Sequence, residues 1–227
     1  MKKRFGAMLG ALAIAATTAM STLPASAADQ SSLNEGFVAE LTSVWSTHGV
    51  PDEMQAQLLD RLEGGEPVDA MLDTEEAVSI ETASSEGKTV TVSRYEDGSI
   101  NVVSVEAPPE PSGDITPSAV EGCAKSGTVW INCNVSGWFT GVTLAFGANL
   151  RVGSPTLGEP GRIDKFTQPT VGCIPPLSCT PPEFEMIQSV QSGATPAQLH
   201  LTTYWSGVGT GTTRLILYVK DGSAYTN

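Results

Sequence analysis

The sequence predicts a mainly β protein. An antiparallel β-sandwich or small barrel at residues 119–227 is expected to follow a short helical pair and a β-hairpin or meander. Residues 119–227 contain at least five segments of strand character, separated by turn residues and without helical periodicity. All four cysteines also lie there, and an even number is typical of a disulfide-linked extracellular domain.

The first 27 residues have the three parts of a secretory signal peptide. A basic start at residues 2–4 precedes a largely apolar run at residues 5–20, and Ala25-Ser26-Ala27 fits a cleavage site. The alternative, a membrane anchor, needs about 20 apolar residues and usually has no cleavage site. We therefore expect cleavage after Ala27, export of the chain, and no membrane span in the mature protein.

Residues 28–76 are predicted to form the helical pair. Ser32-Leu33-Asn34-Glu35 has the form of a capping box, and Gly49 is expected to stop the first helix near His48. Pro51 is expected in the first turn of the second helix, and Gly64-Gly65 after its end. Apolar residues recur at helical spacing in both segments: Leu33, Phe37, Leu41, Val44 and Trp45, then Met54, Leu58, Leu59 and Leu62.

A small meander is predicted at residues 77–106, where apolar residues alternate with polar ones. Asp97-Gly98 lies between two of its strands and is a strong hairpin signal. We expect the charged residues of the meander to form a solvated face.

Residues 107–118 are rich in Pro, Gly and Ser and have no apolar periodicity, which predicts a semi-rigid linker and a domain boundary.

The C-terminal half is expected to contain a long strand from Val142 to Val152, bent or bulged near Gly147. An earlier strand carries Val129, Ile131 and Cys133 on one face, with a turn at Ser136-Gly137. The segment 154–182 has seven prolines and is interpreted as a long connection. Three more strands are predicted at residues 184–191, 199–205 and 213–220, and the glycine-rich residues 207–211 are expected to form a hairpin turn.

The cysteines allow three pairings. We favour Cys123 with Cys133 and Cys173 with Cys179, because each pair spans a short segment that can turn back on itself. In the chain-entropy model each small loop contributes roughly 2 to 3 kcal/mol. Zinc is the competing interpretation, but the spacings differ from the close pairs of structural zinc sites.

Charge is unevenly distributed along the chain. Residues 28–227 carry 9 basic and 25 acidic side chains, a net charge of −16. Residues 28–115 account for all of it, because six acids face six bases in residues 116–227. The mature chain has no basic run, which argues against nucleic acid as a partner.

No catalytic signature is present. His200 is the only histidine of the β domain, and no G-x-S-x-G elbow accompanies it, so we expect a surface residue rather than a catalytic base. A glycosidase would need two converging carboxylates, for which the β domain offers Glu121, Glu159, Asp164, Glu183, Glu185 and Asp221. No phosphate-binding loop, cofactor motif or metal-ligand spacing is found, so we expect neither cofactor nor metal.

Aromatic residues give the strongest indication of a binding surface. Strand alternation places Trp130 and Tyr204 on the faces opposite their apolar neighbours, and His200 points away from the core on the same pattern. Exposed rings stack on sugars or on protein partners. We therefore select Trp130, Tyr204 and His200 as ligand-surface candidates, with a second core layer or a covered sheet edge as the alternative role of the rings.

Three segments carry a resemblance to a known group: LLDRLEGGEPVDAML at 58–72, SRYEDGSINVVSVE at 93–106 and GCAKSGTVWINCNVSG at 122–137. With them and the signal peptide, the chain resembles a group of uncharacterised secreted actinobacterial proteins. The resemblance implies export, a helical and acidic N-terminal half, and a disulfide-linked β domain. It implies no active-site residues.

Three functions are compatible with these observations. The first is a secreted, non-enzymatic binding protein that presents a surface to a cell-surface glycan or protein. The second is a precursor in which residues 28–115 are a pro-region or acidic mask for the β domain, suggested by the uneven charge. The third is an extracellular hydrolase of unrecognised type.

Overall fold

The computed structural model describes residues 33–85, 87–108 and 122–226. These residues belong to one compact unit and are mainly β, with two helices followed by antiparallel sheets, as predicted. The predicted signal peptide and most of the predicted linker lie outside the described residues.

The helical pair comprises α1 (Glu35–Thr47) and α2 (Asp52–Glu63). The Asn34 side chain accepts a hydrogen bond from the Gly36 amide at 2.7 Å and caps α1. Because Asn34 is the cap, the helix begins two residues later than the capping box predicts, and Ser32 lies outside the described residues. Gly49 follows the C-cap of α1 with φ of +73°, which confirms the predicted stop.

Seven strands form the larger sheet, in the order β1-β2-β3-β5-β6-β7 with β4 paired to β5. All neighbours are antiparallel. The strands are β1 (Ser79–Ser85), β2 (Lys88–Arg94), β3 (Ile100–Glu106), β4 (Ala124–Ser126), β5 (Val129–Phe139), β6 (Val142–Arg151) and β7 (Arg162–Cys173). The predicted hairpin at Asp97-Gly98 joins β2 to β3.

Five strands form the smaller sheet, in the order β12-β11-β10-β8 with β9 also paired to β10. The predicted hairpin turn is confirmed, since only Val208 separates β10 from β11. The strands are β8 (Ser178–Cys179), β9 (Glu183–Gln188), β10 (Ala197–Gly207), β11 (Gly209–Lys220) and β12 (Ser223–Thr226). Buried residues of both sheets and both helices belong to one hydrophobic core.

The sheet continues across the predicted domain boundary at residues 107–118. Val103 of β3 pairs with Gly137 of β5, and five consecutive residue pairs join these strands. The boundary is therefore wrong as a division between separately packed domains. The strands on the two sides of this segment, β3 and β5, hydrogen-bond to each other.

Two predictions about the C-terminal half are also wrong. Ser136 and Gly137 lie inside β5, and the turn before β6 is at Thr140-Gly141. The segment 154–182 contains the 12-residue strand β7 rather than only a connection. The two disulfides, Cys123–Cys133 and Cys173–Cys179, form as favoured.

A bulge in β5 reverses the predicted orientation of Trp130. Trp130 pairs with Leu150 and Cys133 with Ala148, so Ile131 and Asn132 together face the single residue Asn149. Asn132 adopts φ of +58°, and its amide bonds to the Asn149 side chain at 2.8 Å. The extra residue shifts the alternation by one position. Trp130 is consequently buried, and Ile131 is exposed, contrary to the prediction.

Candidate functional site

The outer face of the smaller sheet carries polar and aromatic side chains. Along β10, Leu199, Leu201 and Trp205 are buried in the core, whereas His200, Thr202 and Tyr204 alternate with them and point outward. Tyr204 is 60% exposed. Alternation therefore predicted the orientation of Tyr204 and His200 correctly, because β10 and β11 pair without a bulge.

Strand register aligns the polar side chains in rows. Thr202 lies opposite Glu183 of β9 on one side and Arg214 of β11 on the other. In the neighbouring row, His200 lies between Glu185 and Ile216. Directly opposite residues on adjacent strands are neighbours on the same face. The rows therefore bring two carboxylates, an imidazole and a guanidinium onto one surface.

We call the depression on this surface the Tyr204 groove. It has a volume of about 340 Å³ and is lined by Pro181, Glu183, Phe184, Glu185, Thr202, Tyr204 and Arg214. The backbone of Tyr204 is fixed on its free side by Thr180, whose amide donates to the Tyr204 carbonyl at 2.9 Å. The hydroxyl of Thr180 also accepts from the Tyr204 amide at 3.2 Å. These bonds hold the strand that carries the exposed ring.

The surroundings of His200 favour the neutral form of its imidazole. Partial burial lowers the pKa of its imidazole, the Arg214 charge lowers it further, and Glu185 partly opposes them. Its ring is hydrogen-bonded to the side-chain amide of Gln198. The imidazole therefore acts at neutral pH as a hydrogen-bonding group and not as a cation.

A second and larger cavity, which we call the Asp73 cleft, lies between the larger sheet and β11. Its volume is about 450 Å³. Four of its residues, Ile80, Ser93, Asn101 and Phe139, lie opposite one another on the adjacent strands β1, β2, β3 and β5. The remaining walls are provided by Tyr95, by residues 70–73 and 75–77, and by residues 212–214 and 216 of β11.

The polar groups of the cleft are fixed by a short chain of hydrogen bonds. The Asn101 side-chain amide donates to the Ala70 carbonyl at 3.1 Å and to the Tyr95 hydroxyl at 2.9 Å. Because the Ala70 carbonyl oxygen can only accept a hydrogen bond, the atom of Asn101 that faces it must be the amide nitrogen. The Tyr95 oxygen is therefore an acceptor in this pair, and its own proton remains free to donate to another group.

Asp73 and Arg214 lie on opposite walls of the cleft. Their closest side-chain atoms, Oδ2 and Nη2, are 3.9 Å apart, and both side chains are about two-fifths exposed, at 42% and 41%. Burial raises the pKa of Asp73, and the Arg214 charge partly offsets the rise. Burial also raises the pKa of Tyr95, which keeps its hydroxyl protonated as a donor. The cleft thus offers both donors and acceptors to a ligand.

Arg214 lines both the Tyr204 groove and the Asp73 cleft. It is therefore the residue at which the two cavities adjoin. The sequence gives no local signal for this role, since Arg214 is an isolated base on a strand. Asp73, Tyr95 and Asn101 were missed for the same reason: they converge only through pairing between distant segments.

The predicted site residues separate into two groups. Tyr204 and His200 lie on the outer face, whereas Trp130 is buried and belongs to the core. Among the candidate carboxylates, Glu183 and Glu185 converge in the Tyr204 groove. The others lie elsewhere: Asp164 pairs with Arg162, Asp221 contacts Lys220 and Gln191, Glu159 bridges to Ser154, and Glu121 lies outside the described residues.

Neither α1 nor α2, the helices of the described residues, has the length and apolar character of a membrane span. Within residues 33–85, 87–108 and 122–226, no group of three or more His, Cys, Asp or Glu side chains is placed to hold a metal ion. No family model matches the chain, and no similar curated protein or solved structure is found.

Proposed function

We propose that the protein is a secreted, non-enzymatic binding protein whose ligand is a glycan of a cell surface or cell wall, held at the Tyr204 groove. One observation carries the proposal: a ring that is 60% exposed lies beside in-register rows of hydrogen-bonding side chains. A sugar ring has apolar C–H faces and a rim of hydroxyl groups. An exposed aromatic ring suits the faces, and the polar rows suit the rim.

The residues of the groove match the needs of a neutral polyhydroxylated ligand. Glu183 and Glu185 supply acceptors, Arg214 supplies donors in a planar fork, and Thr202 supplies both. Carboxylates and a guanidinium are exposed together, so a ligand hydroxyl can bond to either type of group. Export of the chain is supported by the signal-peptide pattern and by the two disulfides, which are typical of extracellular proteins.

The hydrolase hypothesis gains less support from the same surface. His200 faces Glu185 and Ile216 across the strands, and its ring is hydrogen-bonded to the Gln198 amide. Within the described residues it makes no hydrogen bond to a serine or threonine hydroxyl, as the base of a nucleophile–base pair would. Glu183 and Glu185 do share the groove, which is the remaining feature of a glycosidase. A binding protein and a glycosidase are distinguished by whether retained glycan is cleaved.

A retention assay tests the proposal. Mature protein, residues 28–227, is mixed with insoluble chitin, cellulose, xylan and cell-wall peptidoglycan, and bound protein and released sugar are both measured. We expect retention on at least one polymer without release of soluble sugar. Tyr204→Ala should reduce that retention at least tenfold, the effect of losing about 1.4 kcal/mol of stacking.

Tyr225→Ala is the matched control, since Tyr225 is also an exposed tyrosine of this sheet but stacks on Tyr218 outside the groove. The Tyr225→Ala protein should be retained on the polymer as strongly as the unmodified protein. Failure of every polymer to retain the protein would refute the proposal. Equal losses of retention in the Tyr204→Ala and Tyr225→Ala variants would indicate that the ligand binds outside the groove.

A further inference from the structure

The Asp73 cleft and the Tyr204 groove are two cavities that adjoin at Arg214. The cleft floor includes buried residues, namely Ser93, Phe139 and Ile216, which are between 5% and 8% exposed. Its volume of about 450 Å³ lies in the lower half of the range found for small-molecule sites. Because these buried residues close the base of the cleft, a ligand enters it from its exposed side. The cleft is therefore suited to a short ligand or to one end of a longer one.

The cleft walls combine apolar and polar groups. Met71, Ile80, Phe139 and Ile216 are apolar, whereas Tyr95, Asp73 and Arg214 present a hydroxyl donor, a carboxylate and a guanidinium. The Tyr95 oxygen accepts the hydrogen bond from the Asn101 amide, so this bond does not use the hydroxyl proton of Tyr95. A ring with apolar faces and several hydroxyl groups satisfies both kinds of wall, as does a single sugar residue.

Arg214 connects this cleft to the surface on which the glycan is proposed to lie. Its side chain contributes to both cavities and is 41% exposed between them. A chain that crosses Tyr204 and continues past Arg214 would reach the mouth of the cleft. The chain could then place its last residue against Tyr95 and Asp73.

We infer that the Asp73 cleft is a subsite for the terminal residue of a glycan chain, so that the protein recognises chain ends rather than internal segments. This inference rests on the proposed function, because the chain must first lie in the Tyr204 groove. It adds a distinct property, namely that each glycan chain binds one protein molecule at one end, whatever the length of the chain.

Calorimetry with soluble oligosaccharides tests the inference. Chito-, cello- and xylo-oligosaccharides of four, six and eight residues, and longer soluble chains of the same sugars, are titrated into the mature protein. For the sugar that binds, we expect one protein per chain at every length. Modification of the recognised end, either by reduction of the reducing end or by enzymatic capping of the other end, should lower the affinity at least tenfold.

Two conservative variants locate the effect. Tyr95→Phe removes one hydroxyl donor and should weaken binding about fivefold, the equivalent of one hydrogen bond of about 1 kcal/mol. Asp73→Asn keeps the size of the side chain and should weaken binding by a similar factor. Tyr225→Phe is the matched control and should bind as the unmodified protein does. Circular dichroism and thermal unfolding of each variant establish that it is folded.

The outcomes separate the two proposals. Binding in which the number of proteins per chain grows with chain length, with Tyr95→Phe equal to Tyr225→Phe, would overturn the end-recognition inference while leaving the Tyr204 groove as the binding surface. Absence of binding to every oligosaccharide and polysaccharide tested would overturn both. One protein per chain together with a loss in Tyr95→Phe supports the inference.

Discussion

Arg61 of α2 lies 3.0 Å from the carboxylate of Asp97 in the hairpin between β2 and β3. The same guanidinium nitrogen lies 3.0 Å from Asp69. Asp97 also accepts hydrogen bonds from the Asp69 amide at 2.8 Å and from the Ser99 amide at 2.9 Å. This cluster connects the helical pair, the turn at residues 69–71 and the meander, and Asp97 is 14% exposed.

Asp97→Ala should therefore destabilise the fold by about 2 kcal/mol. The substitution removes a charged acceptor, leaves the Asp69 amide without its partner and takes away one of the two carboxylates that contact Arg61. Urea unfolding measures the change. Glu96→Ala is the matched control, since Glu96 is adjacent and exposed, and should change stability by less than about 0.5 kcal/mol. Equal effects of the two substitutions would show that the cluster contributes nothing specific.

Trp130 and Tyr204 should differ sharply in their contribution to stability. Trp130 is 9% exposed because the bulge at Ile131 and Asn132 turns it into the core. Trp130→Ala should cost about 3 to 5 kcal/mol, whereas Tyr204→Ala should cost less than about 1 kcal/mol because most of its ring is already in water. Chemical denaturation of both variants tests the orientation directly. A mild effect at Trp130 would contradict the bulge.

Residues 119–227 should not fold alone. Removing residues 28–118 deletes β3, which pairs with β5, and also deletes Phe37, Trp45 and Ile100 from the core. The exposed strand edge and core surface should cause aggregation. Circular dichroism and size-exclusion chromatography of this fragment, with residues 28–227 as the control, test the expectation. A monomeric fragment with cooperative unfolding would instead favour the pro-region hypothesis.

Acidification should lower stability through two histidines. Burial lowers the pKa of His48, and Arg94 lowers it further; burial and Arg214 lower the pKa of His200. Between the unfolded value near 6.5 and each lowered folded value, the unfolded chain binds more protons, so stability falls as pH decreases. The loss is complete once the pH lies below the folded values.

NMR titration of the two imidazoles and urea unfolding between pH 7.5 and pH 4.5 measure these effects. The double variant His48→Gln/His200→Gln should flatten the part of the stability profile that begins near pH 6.5. Folded-state pKa values at or above 6.5 would contradict the assignment. An unchanged profile in the double variant would assign the loss of stability to other groups.

Local signals in the sequence predicted those structural features that depend only on residues close together in the chain. Apolar spacing and Gly49 located α1, Asp97-Gly98 located a hairpin, and short loops favoured both disulfides. The strand β7 was missed because it is a largely exposed strand with two irregularities in its register with β6, one of them at Gln168 and Pro169. These irregularities remove the alternation by which strands are recognised.

The candidate site was predictable only in part. The outward orientation of Tyr204 and His200 follows from alternation along a regular strand. The predicted orientation of Trp130 is wrong because one extra residue in β5 reverses the face on which its side chain lies. The convergence of Asp73, Tyr95 and Arg214 depends on contacts between segments more than 100 residues apart, from the 69–77 segment to β11. Spacing along the chain contains no information about such contacts.

Amide chemical-shift mapping tests the central claim most directly. Isotope-labelled protein, residues 28–227, is titrated with a soluble oligosaccharide of the polymer that retains it. The account predicts that perturbed amides cluster at residues 183–185, 200–204 and 212–216, and that those of Trp130 and the outer face of β5 and β6 are unaffected. Perturbations confined to the larger sheet, or none with any of the sugars, would contradict it.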